Sequence, residues 1–252
     1  MKITFVINGY KDELNLLDRE MLCVTSLRKI KSKHDVSLIN VNNSGTAYSE
    51  FETCDMAHDS KFPSVNKIMS AATEHAEEGV VLFVNLDIFV KEHLLDHITS
   101  QHDTYLGSRM DVTPLDGRAL EFTPVEYSVH GFDLFGVTVD WWNKNKQLFP
   151  DMYLGRPYWD TLYYVICMEH SKCRTINDHP ACIYHVKHAN EWENITDEYK
   201  THNEQQLRTV PSFSKWWQYV YGVLLKRPDK NGVKFWTPLV NEQSVADQLF
   251  KI

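Results

Sequence analysis

Apolar positions in the first hundred residues fall into two kinds of pattern, short unbroken runs and stripes at helical spacing. Residues 2–7 (K-I-T-F-V-I) form a β-rich run ended by the turn signal Asn8-Gly9. From Glu13 to about Lys31, Leu16, Leu17, Met21, Val24, Leu27 and Ile30 recur at helical intervals, with charge on the opposite face. After His34-Asp35, V-S-L-I-N-V at 36–41 reads as a second strand, closed by Asn42-Asn43-Ser44-Gly45. Strand, helix and strand within about 40 residues make a βαβ unit, hence a parallel sheet covered by helices. The unit repeats: Val65, Ile68, Met69, Ala72 and Ala76 share a helical face, Gly79 stops it, and V-V-L-F-V follows at 80–84. A run apolar throughout predicts a strand buried on both faces.

Beyond residue 100 the periodicity loosens. Tyr105-Leu106-Gly107, Leu120–Thr123, Leu134–Val137 and Ala181–Val186 predict strands. Val139–Leu148, Trp159–Glu169, 196–209 and 212–226 predict helices. No internal repeat or linker rich in Pro, Gly and Ser interrupts the chain. The expectation is one α/β domain over 1–252: a regular βαβ half (1–100), a mixed half (101–195) and a helical C-terminal extension (196–252). The sheet is expected to be mostly parallel and flanked by helices.

Composition narrows the function classes. The 252 residues are 43% hydrophobic and 24% charged, which excludes disorder. With 26 basic against 34 acidic side chains the formal charge is −8, which speaks against a basic sheath for duplex DNA. No apolar run reaches the ~18 residues a membrane helix needs, and the opening M-K-I-T-F-V-I is too short and strand-like for a signal peptide. Five scattered cysteines without a C-x-x-C pair fit a reducing compartment. A cytoplasmic protein is expected.

Four constellations carry candidate chemistry. Asn85-Leu86-Asp87 follows the buried strand 80–84, at the sheet edge where open α/β folds bind ligands. On an extended chain Asn85 and Asp87 would face one spot and serve a divalent cation on a diphosphate; a polar strand end with Asp87 capping a turn is the other reading. Gly155-Arg156-Pro157-Tyr158-Trp159-Asp160 leads into an apolar helix. There Asp160 is either a helix-start residue or a carboxylate kept ionised to act as a base, and Arg156 can pair with phosphate or carboxylate. In His130-Gly131-Phe132-Asp133-Leu134-Phe135-Gly136, Asp133 either bonds local amides or holds sugar hydroxyls. Cys167, His170, Cys173, His179, Cys182, His185 and His188 put seven soft ligands in 22 residues. That set reads as zinc ligands, as buried thiols and satisfied histidines, or as one histidine completing a metal site begun by Asp87, with Lys187 facing phosphate. An aromatic run from Ser212 to Tyr221 reads as a helix packed on the domain, with a membrane-surface helix as the rival. Phosphate-loop, dinucleotide and G-x-S-x-G signatures are absent.

In this order, the segments resemble the GT-A glycosyltransferases over roughly residues 1–190. I-T-F-V-I-N looks like the family's first strand, with Ile7 and Asn8 at the nucleoside pocket, and S-L-I-N-V-N-N-S like its second, with Asn42 at the polar tip. L-F-V-N-L-D-I resembles the strand ending in D-x-D, G-R-P-Y-W-D the element near the acceptor, and Y-H-V-K-H the late histidine that joins the metal. Asn85 stands where the family has its first acid, and Asn66-Lys67 where many relatives carry R-N.

The resemblance implies a donor of the nucleoside-diphosphate sugar type, uridine-linked, with Mn²⁺ or Mg²⁺ on Asp87 and a histidine, His185 or His188. Asn66, Asn85, Arg156 and Lys187 would line the donor. Asp160 is the first candidate for the base that deprotonates an acceptor hydroxyl, and Asp133 the second. The acceptor class stays open among glycan, protein, small molecule and a hydroxylated DNA base, the last disfavoured by charge. Rivals are a nucleotidyltransferase and a non-catalytic or zinc-stabilised binding module on the same fold.

Overall fold

The computed structural model describes residues 1–9, 17–42, 47–56, 62–114, 122–176, 181–186 and 196–213. Lys187, His188, His179 and everything from Ser214 onward lie outside the described residues.

Among the described residues, nine strands form one sheet. The first half follows the sequence pattern closely. β1 (Ile3–Ile7) pairs in parallel with β2 (Val36–Asn42) on one side and β4 (Val80–Val84) on the other, and β3 (Glu52–Asp55) extends the edge beyond β2. The helix α1 (Leu17–Lys31) crosses between β1 and β2, and α2 (Val65–Ala76) leads into β4. The Ser64 side chain accepts from the Lys67 backbone at the start of α2, an N-cap. Side chains of β4 alternate across the sheet. Val80, Leu82 and Val84 pack in the cluster with α1, whereas Val81 and Phe83 pack in the cluster with α2 and the later helices. Both faces of β4 are covered, as its unbroken apolar run predicts.

The second half departs from expectation. The two short strands expected at 120–123 and 134–137 are one, β7 (Phe122–Thr138), antiparallel to β4 and to β6 (Thr104–Pro114). Register shifts along β6, between Gly107 and Ser108, Ser108 and Met110, and Asp111 and Val112, bend the pair without ending it. Periodicity fails there because a bulge swaps faces in mid-strand. β8 (Cys173–Ile176) and β9 (Ile183–Val186) lie in succession along the far edge of β6, parallel to it, and β5 (Ile88–Val90) pairs antiparallel with β9. The strands β3, β5 and β8 are three or four residues long and went unread in the sequence for that reason.

The helices α3 (Val139–Asn145), α4 (Trp159–His170) and α5 (Glu198–Gln206) sit close to the expected positions. Phe135, Trp142, Phe149 and Phe83 pack edge to face with one another or with Trp159 and Tyr163 of α4.

The strand order β3-β2-β1-β4-β7 places a topological switch between β1 and β4, since the chain leaves β1 to one side for β2 and later returns to its other side. The crevice at the carboxyl ends of these strands is where such sheets take ligands. Gly79, where β4 begins, holds φ +85°, and a Cβ there would stand 2.3 Å from the Lys2 carbonyl oxygen. Gly79→Ala should therefore lower the unfolding free energy by at least about 1–2 kcal/mol. Urea denaturation checks this as a lower midpoint with an unchanged slope.

Candidate active site

The chain after β4 does not continue extended. It turns at once, with Ile88 N–H donating to the Asn85 carbonyl at 3.0 Å. The expectation that Asn85 and Asp87 face one spot is thereby corrected, because same-side placement at i and i+2 holds only for extended backbone. Asn85 faces β7: its amide Nδ2 donates to Asp133 Oδ1 at 2.9 Å and its backbone N–H to the Asp133 carbonyl at 3.2 Å. Asp87 faces β9, with Oδ2 3.4 Å from His185 Nε2.

From His185 a chain of charged contacts runs through the site. His185 Nδ1 lies 2.9 Å from Asp111 Oδ1. The same Asp111 oxygen accepts from Arg109 Nε at 3.1 Å, and Arg109 Nη1 donates to Asp133 Oδ2 at 2.8 Å. Asp133 closes the chain onto Asn85. The His185 side chain is 5% exposed and that of Asp133 8%. Burial alone would depress the His185 pKa. The hydrogen bonds to Asp111 and Asp87 and the charge of Asp87 outweigh it and raise the value to about 9. Burial likewise opposes ionisation of Asp111, but its bond to His185 and the Arg109 charge hold its pKa below the ordinary value.

Asp160 sits in the first turn of α4 but is not its cap. That place belongs to Tyr158, in the left-handed region at φ +81° and without a side-chain cap bond. Asp160 Oδ2 instead reaches across to β7 and accepts from the Phe132 backbone N–H at 3.2 Å. Burial first, and then the charge of Asp133, raise its pKa to about 6. A carboxyl poised there suits proton transfer near neutrality.

The other expected site residues fall into three groups. Ile7 is wholly buried in β1. Beyond it, the buried Asn8 donates to the Val41 carbonyl at 2.6 Å and Gly9 N–H donates to Asn40 Oδ1 at 2.8 Å, so Asn8, Asn40 and Asn42 cluster at the ends of β1 and β2. A Cβ on Gly9 would fall 2.8 Å from the Tyr48 ring, leaving room there only for glycine. Asn66 and Arg156 stand apart from this edge. Asn66 Nδ2 donates to the Phe149 carbonyl at 2.9 Å. Arg156 pairs with Asp197 (Nε–Oδ2 2.7 Å) and lies 3.8 Å over the Phe62 ring, which takes it away from the donor role expected of it. Cys167 is buried in α4, and among the described residues no three Cys, His, Asp or Glu side chains converge as a metal cage.

Arg109 and Asp111 escaped the sequence reading. Their signal was two opposite charges at i and i+2 in an apolar stretch, Y-L-G-S-R-M-D-V, which places both on one strand face.

A divalent cation is compatible with these residues. Two donors 3.4 Å apart, Asp87 Oδ2 and His185 Nε2, can be adjacent ligands, with phosphate oxygens and water completing the shell. Asp111 on the other imidazole nitrogen orients the ring as a supporting carboxylate. Taking a cation there means giving up the Nε2 proton. Three carboxylates (Asp87, Asp111, Asp133) against Arg109 and His185 leave the cluster short of positive charge.

The same contacts explain why an amide suits this position. Asn85 can donate to Asp133, whereas an aspartate could only repel it. Asn85→Asp should lower stability by about 2 kcal/mol at pH 7. The loss should shrink as pH falls through the carboxylate range, read from urea titrations at several pH values.

No protein-family model matches the chain, and no curated protein matches it in sequence. Solved structures do match. The structure of S. aureus TarS 1-349 in complex with UDP-GlcNAc superposes with a TM-score of 0.52 at 15% identity, covering 90% of this chain and 76% of that one. A second structure of TarS 1-349 gives 0.51 at 16%, covering 90% and 75%. A longer TarS gives 0.51 at 17%, with 90% of this chain spanning 46% of that one. Agreement at this identity concerns the backbone: the chain has the GT-A-like fold.

Proposed function

We propose that the chain is a metal-dependent glycosyltransferase that moves a sugar from a nucleoside-diphosphate donor, uridine-linked, to an acceptor hydroxyl. The observation that carries this reading is the placement of Asp87 and His185, 3.4 Å apart, at the switch-point edge of the sheet. A proton-accepting carboxylate, Asp160, lies across the same edge. The fold is that of TarS, a protein solved with UDP-GlcNAc, which supports the choice of a UDP-sugar.

In this reading the nucleoside rests on the ends of β1 and β2, against Asn8, Asn40, Asn42 and Tyr48. Asp87 and His185 would hold Mn²⁺ or Mg²⁺, which neutralises charge on a departing diphosphate. Asp111 keeps the His185 ring in place. Arg109 ties Asp111 to Asp133 and holds Asp111 ionised beside the reaction. Asp160 takes the proton from the acceptor hydroxyl, and Asp133 tunes it by raising its pKa. A base of this kind implies direct displacement with inversion at the sugar carbon.

Two results are expected. Asp87→Ala should lose Mn²⁺-dependent transfer and UDP-sugar hydrolysis while its circular dichroism stays that of the parent; full activity in that variant removes Asp87 from the mechanism. For Asp160 the sign follows from its pKa of about 6. Below that value the carboxyl is protonated and cannot accept the acceptor's proton, so the transfer rate should rise as pH climbs through about 6 and then level. Asp160→Asn should abolish that limb and slow transfer by about 10²–10⁴-fold with donor affinity kept. A pH–rate series with donor titrations decides it.

A further inference from the structure

Asp160 is aimed by the first turn of α4, and that turn starts from a left-handed Tyr158, a conformation costly for a bulky side chain. Something must hold the segment 151–158 in this shape. It comes from α5, far along the chain. Asn203, on α5, is 0% exposed. Its Oδ1 accepts from the Tyr153 backbone N–H at 2.8 Å. Its Nδ2 donates to the Tyr153 carbonyl at 3.1 Å and to the Pro157 carbonyl at 3.0 Å. One amide thus pins both ends of the loop, the second within one residue of Tyr158.

A second tie runs from the start of α5. Asp197 caps the helix by accepting from Lys200 N–H at 2.8 Å, and its other oxygen takes Arg156 Nε at 2.7 Å and Nη2 at 2.5 Å. Between these ties Tyr199 meets the Tyr153 and Phe62 rings, with centroids 4.9 and 5.0 Å away. On the loop's other side Leu154 N–H donates to the Pro63 carbonyl at 2.9 Å, next to the cap of α2.

We infer that Asn203 is a positioning residue for the base, and that α5 is part of the active site's construction although it touches none of the reacting groups. Three hydrogen bonds from one buried amide have no substitute among apolar side chains, and leaving their partners unpaired inside the protein is unfavourable. The chain therefore either keeps the loop as it is or lets water into it. Loosening the loop frees Tyr158 from the left-handed region, rotates the first turn of α4 and exposes the half-buried Asp160 further to solvent. The charged groups acting on Asp160 are Asp133 on β7 and Arg109 on β6. Both lie outside the clamp, so a change in Asp160 titration on cutting Asn203 reports its burial.

The inference deepens the proposed transfer reaction and rests on it for one of its two tests. The first test needs no activity. In protein carrying ¹³C-labelled aspartate carboxyls, the Asp160 resonance is identified by its loss in Asp160→Asn. Its midpoint in the parent should lie above the ordinary carboxylate range, and in Asn203→Ala it should fall by at least about half a pH unit. Should Asn203→Ala fail to fold, Asn203→Ser, which keeps a polar side chain but is too short to tie both Tyr153 and Pro157, takes its place. An unchanged midpoint in whichever variant folds overturns the inference, as does a parent Asp160 that titrates like an exposed carboxyl. The second test is turnover: kcat should drop by up to about 10²-fold with the donor's Kd unchanged, and an unchanged kcat also overturns it. A parent that transfers no sugar sinks the proposed reaction instead, while the carboxyl titration still decides the clamp.

Discussion

The geometry of the site depends on the Arg109 guanidinium, which lies between Asp111 and Asp133. A buried ion pair of this kind adds little net stability, because the cost of removing the charges from water offsets their attraction. What it does is restrict the alternatives. Asp111 and Asp133 sit on neighbouring strands, and neither can move without breaking its bond to Arg109. Through Asp111 the constraint passes to His185 on β9, and through Asp133 to the Asn85 turn after β4. Asp87 is therefore located from two sides. The bent β6–β7 ladder exists in a form that lets this happen, since the bulge region between Ser108 and Val112 is where Arg109 and Asp111 enter the site.

The sequence made some of this legible and hid the rest, for identifiable reasons. Continuous apolar runs and helically spaced stripes are local signals, and they located β1, β2, α1, α2, β4 and α4. The end of β4 stood out because polar residues follow a strand buried on both faces, and Asp87 and His185 do meet there. Asn85 misled because the argument assumed extended backbone where the chain turns. Arg156 misled because a cation beside a proline-led helix start looks available for phosphate. Its partner Asp197 lies 41 residues away, and no local pattern announces such a pairing. Arg109 and Asp111 were within reach of a two-residue spacing rule, had the strand been read as continuing past Gly107.

Asp160 shows how a position in the chain and a position in space yield different chemistry. From the sequence alone a helix-start aspartate would be stabilised as an anion by the helix dipole. In the folded chain burial and the neighbouring Asp133 charge act in the opposite direction and prevail, so the pKa rises. The helix dipole is a small effect, and desolvation of a carboxyl beside another carboxylate is a larger one. Only the tertiary arrangement decides between them. A pKa of about 6 sets this carboxyl apart from an ordinary surface carboxylate.

The two halves of the site are held by different means, and the difference has a mechanical consequence. The Asp87–His185 half is locked by charge within the sheet, where strands move little relative to one another. The Asp160 half is set by a loop whose shape comes from a helix outside the sheet, through the neutral hydrogen bonds of Asn203, ring contacts and one ion pair, Arg156–Asp197, at the edge of the loop. Neutral bonds of this kind contribute about 1 kcal/mol each, whereas breaking a buried ion pair costs several. If either side of the crevice yields when an acceptor enters, it is the side carrying Asp160. In the transfer reaction proposed above, the Asp87–His185 side would keep its geometry throughout, so that a donor is held in place before an acceptor hydroxyl is brought up to Asp160.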